Sequence, residues 1–418
     1  MGKEPEIITV KYAKAPDRKI ARQLLHEIAK RPISFVPRKV DKPLILYGAG
    51  NLGKMAKEYF DKLGIPFMFV VDANPDLHRR DPFWADIEIY GIHDVPIKQR
   101  DSSLLAICVV TTSFSQVTAP LKEQGWHDVV PFYDIAEAYR DRHPLSNGWH
   151  SGLLTEEDII GIESVLSRWE DDVSRAHHLQ FIAWRSLREE WVFGDAPVTT
   201  QDRYFIPQVI SILHDHEVFI DIGAHHGEVI IRFLTEVENK YNGIYVIEPD
   251  RENLSHLRNF LEQKMPDVPT EREKIHLLGC ALGSMTDEKL FYHGLGYASQ
   301  FSESGQTKVD VKCLDDLLIP ATFIKIHIEG WERNAISGGL ETLIHNRPIL
   351  AATSYHNREG LWHLPAQIMT CLDNYAYYFR LHSWHGTGGV IYGIPRERIS
   401  QKAKLDKTKK SNVIIDMN

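Results

Sequence analysis

The stretch Val218-Phe-Ile-Asp-Ile-Gly-Ala-His-His-Gly227 is followed about twenty residues later by Ile244-Tyr-Val-Ile-Glu-Pro-Asp250. Each is an apolar run closed by a polar turn. The first turn holds Asp221, Gly223 and Gly227, and Glu228-Val-Ile-Ile-Arg-Phe-Leu234 comes after it. That pattern reads as strand, tight turn, helix. Glycines in such a turn let backbone N–H groups approach a ligand, and Glu248 at the tip of the next strand is placed to accept both hydroxyls of a ribose. The pair therefore reads as a nucleoside-binding βαβ unit, with a spelling unlike the common dinucleotide fingerprint.

Farther along come Leu314-Asp-Asp-Leu317, Ile324-Lys-Ile-His-Ile-Glu-Gly-Trp-Glu332, Gly338-Gly339 and Arg347-Pro-Ile-Leu350. Taken in order, over roughly residues 204–395, these blocks resemble the FkbM family of S-adenosylmethionine (SAM) methyltransferases. In that family the first strand reads D-x-G-A-x-x-G and the second ends in E-P; L-D-D-L, I-K-I-D-x-E-G-x-E and a strand beginning R-P follow. One position departs: the family's aspartate in I-K-I-D-x-E-G-x-E is His327 here. The resemblance implies SAM as cofactor, O-methylation, and a parallel sheet that ends in an antiparallel hairpin.

Working toward the N-terminus, a helix is expected over residues 18–30. Pro43-Leu-Ile-Leu-Tyr-Gly-Ala-Gly-Asn-Leu-Gly-Lys-Met-Ala-Lys57 then gives another strand, turn and helix. Gly48, Gly50 and Gly53 fit GxGxxG, and Phe67-Met-Phe-Val-Val71 runs into Asp72. Further strands are expected at 104–110 and 129–132. Residues 153–192 read as helical, opened by Thr155-Glu-Glu-Asp158 with apolar residues at Ile159, Ile162, Val165, Leu166 and Trp169. Beyond the two opening units come a third strand over 274–282, a ribbon from 289–293 and 308–313, a fourth strand over 323–328 and a fifth over 349–353. A hairpin from 375–381 and 390–393 closes the pattern. The charged tail over 402–410 precedes Val413-Ile-Ile415, which is apolar enough to dock.

Strands alternating with helices at these spacings indicate an α/β protein with two doubly wound Rossmann-like sheets. The second is the class I SAM methyltransferase fold that the resemblance implies. The expected division is a Rossmann-like nucleotide-binding-type domain at 1–145, a helical connector at 146–203 and a SAM methyltransferase domain at 204–418.

The 418 residues suffice for two or three domains, each with its own core. Hydrophobic and charged contents of 43% and 25% are those of an ordinary globular protein. A formal charge of -9 gives no reason to expect nucleic acid as a partner. No apolar run reaches the length of a membrane span, and the N-terminus does not read as a signal peptide. Cys108, Cys280, Cys313 and Cys371 are too widely spaced for a CxxC zinc site and suit small buried hydrophobes in a reducing cytoplasm. A homo-oligomer is left open.

Asp221, Gly223 and Gly227 are the expected cofactor loop, where a carboxylate suits the cationic sulfonium and zwitterionic methionine of SAM. His225 stands where the family prefers a small or amide residue, and Ala281 is expected beside the adenine. Lys325, His327, Glu329 and Glu332 fall at the carboxyl end of the fourth strand, where open α/β sheets bind ligands. Strand alternation would put Lys325, His327 and Glu329 on one face. His327 suits a general base for a hydroxyl acceptor, or else braces its loop. His356, after the fifth strand, is the candidate for contact with substrate; Arg380, His382 and His385 are expected at the same edge. With no dense His/Asp cluster we assign no metal, the alternative being a divalent ion on His327, Glu329 and a third ligand.

In the N-terminal half, Gly48, Gly50, Gly53 and Asp72 suit NAD or another nucleotide with free ribose hydroxyls, or persist only as scaffold. The leading function is thus a SAM-dependent methyltransferase acting on a hydroxyl of a sugar, polysaccharide or secondary metabolite. The alternatives are an NAD-linked oxidoreductase or epimerase that uses the N-terminal domain, and a non-catalytic nucleotide-binding module.

Overall fold

Leu44-Ile-Leu-Tyr47 is buried at every position, as a strand covered on both faces requires. The computed structural model describes residues 7–33, 35–143, 145, 150–264, 273–293, 299–303, 305 and 307–402. Residues 413–415, expected to dock, lie outside them. After β1 (Thr9–Tyr12), the first sheet is built from β2 (Leu44–Tyr47), β3 (Val70–Asp72), β4 (Ile89–Gly91), β5 (Leu104–Ile107) and β6 (Val129–Pro131). All its pairs are parallel, in the order β4-β3-β2-β5-β6. The helix Arg18–Lys30 forms as expected and buries Ala21, Leu24, Leu25 and Ile28 on one stripe. That stripe belongs to the core of the second sheet rather than the first.

The run from 153 to 192, expected to be helical throughout, is two helices and a strand. Glu156–Arg168 starts on a reciprocal cap between Thr155 and Asp158. Asp171 caps a second helix, Asp172–Leu187, which Arg188 ends in the left-handed region at φ 57°. β7 (Glu190–Phe193) then pairs in parallel with β1, and Tyr12 stacks on Phe193 with ring centroids 4.8 Å apart. Trp191, Val192 and Phe193 favour a pleated surface over a helix, a preference that apolar periodicity alone does not reveal. Every residue from Ser174 to Leu187 is buried, because this helix is packed between the second sheet and the elements before it.

The second sheet begins with β8 (Val218–Ile222), β9 (Gly243–Ile247) and β10 (Ile275–Leu278). The expected third strand stops at Leu278. β11 (Ala281–Leu282) instead joins a four-stranded ribbon sheet with β12 (Asp287–Tyr292), β13 (Gln300–Phe301) and β14 (Thr307–Lys312). The chain then returns to the main sheet through β15 (Phe323–Ile326), β16 (Ile349–Thr353), β17 (Tyr375–Leu381) and β18 (Gly389–Pro395). The strand order is β10-β9-β8-β15-β16-β18-β17, with β18 alone antiparallel. The order reverses between β8 and β15, so a crevice opens beyond their carboxyl ends, where such sheets bind ligands.

Buried contacts join the two sheets. Arg188 Nε lies 2.8 Å from Asp134 Oδ1, both side chains being under a tenth exposed, and Trp384 N donates to Val110 O at 2.7 Å. Burial pushes the Asp134 carboxyl up to about 6 against the pull of Arg188. All four cysteines are free thiols. No helix among the described residues is long and apolar enough to cross a membrane.

Candidate active site

The parallel register sets Lys325 of β15 beside Asp221 of β8. Both are buried, with Lys325 Nζ 2.7 Å from Asp221 Oδ1 and donating to Gly223 O at 2.7 Å. Burial raises the Asp221 pKa, and Lys325 opposes the rise. The two residues brace the turn and do not line the cavity above it. Gly223, at φ 74°, does line it. A Cβ there would come within 1.9 Å of His327 O, so only glycine lets the two loops pass. Gly227, the N-cap of the helix Glu228–Glu236, lies outside the lining; its own Cβ would meet Leu257 at 2.5 Å.

The cavity encloses about 600 Å³ including its open mouth. At one end stands Glu248, whose Oε2 accepts from His225 N at 3.1 Å and whose Oε1 accepts from Asp250 N at 3.0 Å. Burial pushes the Glu248 carboxyl up to about 7. His225 lines the same end with its ring stacked on His226; burial, then His226, pushes it down to about 4. Ile247, Ala281, Leu282 and Phe291 wall an apolar slot beside them.

The ribbon closes the cavity with Phe291, Ser299, Gln300 and Phe301. Ser299 Oγ donates to Asp250 Oδ2 at 3.0 Å and so ties the ribbon to the end of β9. Sequence reasoning found the ribbon but not its role as a wall, because an insertion between strands carries no ligand motif. The same holds for Asn253, which lines the cavity from the helix after Asp250.

The loop after β15 adds His327, Ile328 and Glu329 to the lining. β15 stops at Ile326, so the expected strand alternation does not extend to them; Glu329 turns in the left-handed region at φ 52°. Even so, His327 Nε2 and His356 Nε2 each come within 3.2 Å of the same atom, Glu329 Oε1. The two imidazoles stack at 5.0 Å with planes 16° apart. His327 Nδ1 is 2.9 Å from the Tyr204 hydroxyl, and the Tyr355 hydroxyl is 3.2 Å from its Nε2. His356 Nδ1 meets Glu332 Oε1 at 2.8 Å, and that oxygen also accepts from Thr353 Oγ1 at 2.8 Å.

Burial lowers the His327 pKa well below its ordinary value. Burial would raise Glu329, but His356 and His327 outweigh it and hold the carboxyl well below the usual range. Burial likewise opposes charge on His356, and Glu329 and Glu332 overcome it to raise that group. Tyr204 and Tyr355 had no signal in the sequence; each reaches His327 from a separate loop. A second, more open groove shares residues with the cavity. Glu329, Ile328, Gln300 and Phe301 line it on the cavity side, and Arg140, Trp331 and Asn357 lie beyond.

Arg380, His382 and His385 are not part of the site. Arg380 pairs with Asp171, His382 Nε2 bonds the Tyr392 hydroxyl at 2.8 Å, and His385 stacks on Trp184 at 5.0 Å. They stand on β17 and the loop after it, whose end faces the helix Asp172–Leu187. In the first sheet, Gly48, Gly50 and Gly53 form the expected turn between β2 and its helix. Asp72, however, already accepts from Ala49 N at 2.8 Å and Asn74 N at 2.7 Å, one bond to each carboxylate oxygen.

Strand order, terminal hairpin and a cavity at the β8–β15 crevice make an open α/β sheet with a ligand crevice at its switch point. Residues 221–379 match the family described as Methyltransferase FkbM domain, and the chain carries that domain over this span. The crystal structure of methyltransferase FkbM from Methylobacillus flagellatus KT shares the fold, with a TM-score of 0.57 at 18% identity. That match covers 91% of this chain and 94% of the other. A precorrin-6y C5,15-methyltransferase from Geobacter metallireducens GS-15 aligns at 16% identity over 48% of this chain and 95% of its own, with a TM-score of 0.30. No curated protein matches the chain.

Proposed function

We propose that this methyltransferase uses SAM and methylates a hydroxyl oxygen of a sugar, polysaccharide or secondary metabolite. The observation that carries the reading is a single cavity lined by both a ribose-type carboxylate, Glu248, and the polar cluster of Glu329. The residues present fit SAM: Glu248 for the ribose hydroxyls, the slot of Ile247, Ala281, Leu282 and Phe291 for adenine, and the His225 backbone at the turn. Bound there, SAM supplies a methyl group on a cationic sulfur, and transfer to oxygen leaves a neutral thioether.

The chain's own residues orient and enclose. Gln300 and Phe301 separate the cavity from the open groove, and Glu329 is shared by both. We assign contact with the acceptor to Glu329 and His327, which line the cavity. His356, Glu332 and Lys325 are assigned to positioning, since each holds a loop or a neighbour. Asp221 and Gly227 hold the loop from behind. We keep the division at 1–145, 146–203 and 204–418 as part of this proposal, with the helix Arg18–Lys30 docking on the later core. NAD at the first sheet rests on the Gly48–Gly53 turn and Asp72 alone, and nothing else among the described residues supports it.

The test is calorimetric titration of SAM and of NAD, separately, into the full chain, followed by transfer of labelled methyl groups to a panel of carbohydrate hydroxyl acceptors. SAM binding and label in an ether linkage are expected. Binding of NAD without SAM would overturn the reading.

A further inference from the structure

We propose that His327 Nε2, Glu329 Oε1 and His356 Nε2 form a site for one divalent transition-metal ion, at the junction of the cavity and the open groove. These three ligand-type atoms lie within 4.8 Å of one another. Ligands about 2.0–2.2 Å from a common ion stand roughly 3–4 Å apart, so closure needs a side-chain movement under about 1 Å. The sequence reading assigned no metal for want of a dense His/Asp cluster and kept a divalent ion on His327, Glu329 and a third ligand as the alternative; His356, from a different strand end, supplies that third ligand.

Two observations separate this cluster from an ordinary buried ion pair. First, both imidazoles turn Nε2 toward the same carboxylate oxygen while Nδ1 is held from behind. Glu332 takes the Nδ1 of His356, and the Tyr204 hydroxyl takes that of His327. A carboxylate on the far nitrogen fixes the tautomer that leaves the other nitrogen's lone pair free for a metal, as Glu332 does for neutral His356; the Tyr204 hydroxyl, able to donate or accept, is compatible with the same tautomer of His327. Glu332 is in turn anchored by Thr353 and by Ile328 N. Second, His356 is 2% exposed, and its Nε2 is aimed into the cluster, 3.2 Å from Glu329 Oε1, in an ion-pair contact without good hydrogen-bond alignment.

Two imidazoles and one carboxylate favour ions such as Zn²⁺, Co²⁺ or Fe²⁺ over Mg²⁺ or Ca²⁺, which prefer all-oxygen sites. Three protein ligands leave at least one position open. Glu329 also lines the open groove, so that position would be accessible to an oxygen ligand entering there. The metal assignment does not need the methyl-transfer reading. Its use does: a coordinated acceptor hydroxyl would lose its proton to water in the groove far more readily than a free one.

The experiment uses the full chain without an affinity tag, stripped with a chelator. Calorimetry with Zn²⁺ measures stoichiometry, and the visible spectrum with Co²⁺ reports nitrogen and oxygen ligation. One ion per chain is expected. His356→Gln and Glu329→Gln should each weaken binding at least a hundredfold, and Glu332→Gln by about 10- to 100-fold through loss of the supporting bond. Circular dichroism and a parallel SAM titration establish that each variant is folded. Failure of the wild type to take up a stoichiometric ion while still binding SAM would overturn the metal site alone. Unaltered Zn²⁺ affinity in the folded His356→Gln and Glu329→Gln variants would do the same.

Discussion

Glu248 is buried beside only a few donors, and its carboxyl is pushed up to about 7 from an ordinary 4.5. Ribose hydroxyls donating to both oxygens would favour the ionised form. Glu248→Ala should therefore cost SAM on the order of 2–3 kcal/mol, roughly thirty- to a hundredfold in affinity by calorimetry. Wild-type affinity for SAM should climb about tenfold between pH 6 and 8 as the free carboxyl ionises. Stability runs the other way. With the folded pKa above the unfolded one, the contribution of Glu248 to the ligand-free protein is complete below about 4.5 and is lost as pH rises through about 7. Glu248→Gln should flatten both profiles, the first measured by titration and the second by urea unfolding at pH 5 and 7.5. A wild-type affinity that is flat with pH would count against ribose recognition by this carboxylate.

At the scale of the element, the site depends on a turn after β8 passing under a loop after β15. Gly223 permits the crossing by its φ of 74° and its missing side chain. The closest atom to an added methyl is His327 O, a backbone oxygen that no rotamer change can move. Gly223→Ala should destabilise the protein by about 2 kcal/mol or more, from strain and displacement together. It should also weaken SAM binding, since both loops line the cavity. Urea unfolding with calorimetry on the folded fraction checks both. Unchanged stability would mean that the loops separate more easily than their packing indicates.

For the whole molecule, the joint between the two sheets rests partly on Arg188 and Asp134, a buried pair contributed by elements far apart in sequence. Arg188 also lies over the Phe35 ring at 4.1 Å. Removing one partner of such a pair typically costs about 3–5 kcal/mol because the other charge is stranded. Arg188→Ala should lose about 3 kcal/mol in equilibrium unfolding, the lower end because Asp134 can take up a proton. The loss should shrink toward acid as the abandoned carboxyl is neutralised. A loss under 1 kcal/mol would mean that the apolar contacts hold the joint without this pair.

Local signals were legible. Val218–Ile222 and Gly243–Ile247 are strands because each is an apolar run closed by a turn, and Glu248 follows at the second tip because a parallel βαβ unit leaves its strand ends there. The helix Arg18–Lys30 and the cap at Thr155 were equally legible, since an amphipathic stripe and a cap are written within a few consecutive residues. What the sequence could not fix was which distant ends meet. Glu190–Phe193 became a strand only because β1 offered it an edge. Asp221, which has the look of a ligand-facing carboxylate in the sequence, was turned inward by the register that sets Lys325 beside it. His356 reaches Glu329 because β15 and β16 pair with Ile326 opposite Ala352, which brings two loops about thirty residues apart to one sheet edge. Periodicity is set by neighbours along the chain and so can be read from it. Pairing, burial and the resulting charge states are set by neighbours in space, which only the packed sheet supplies.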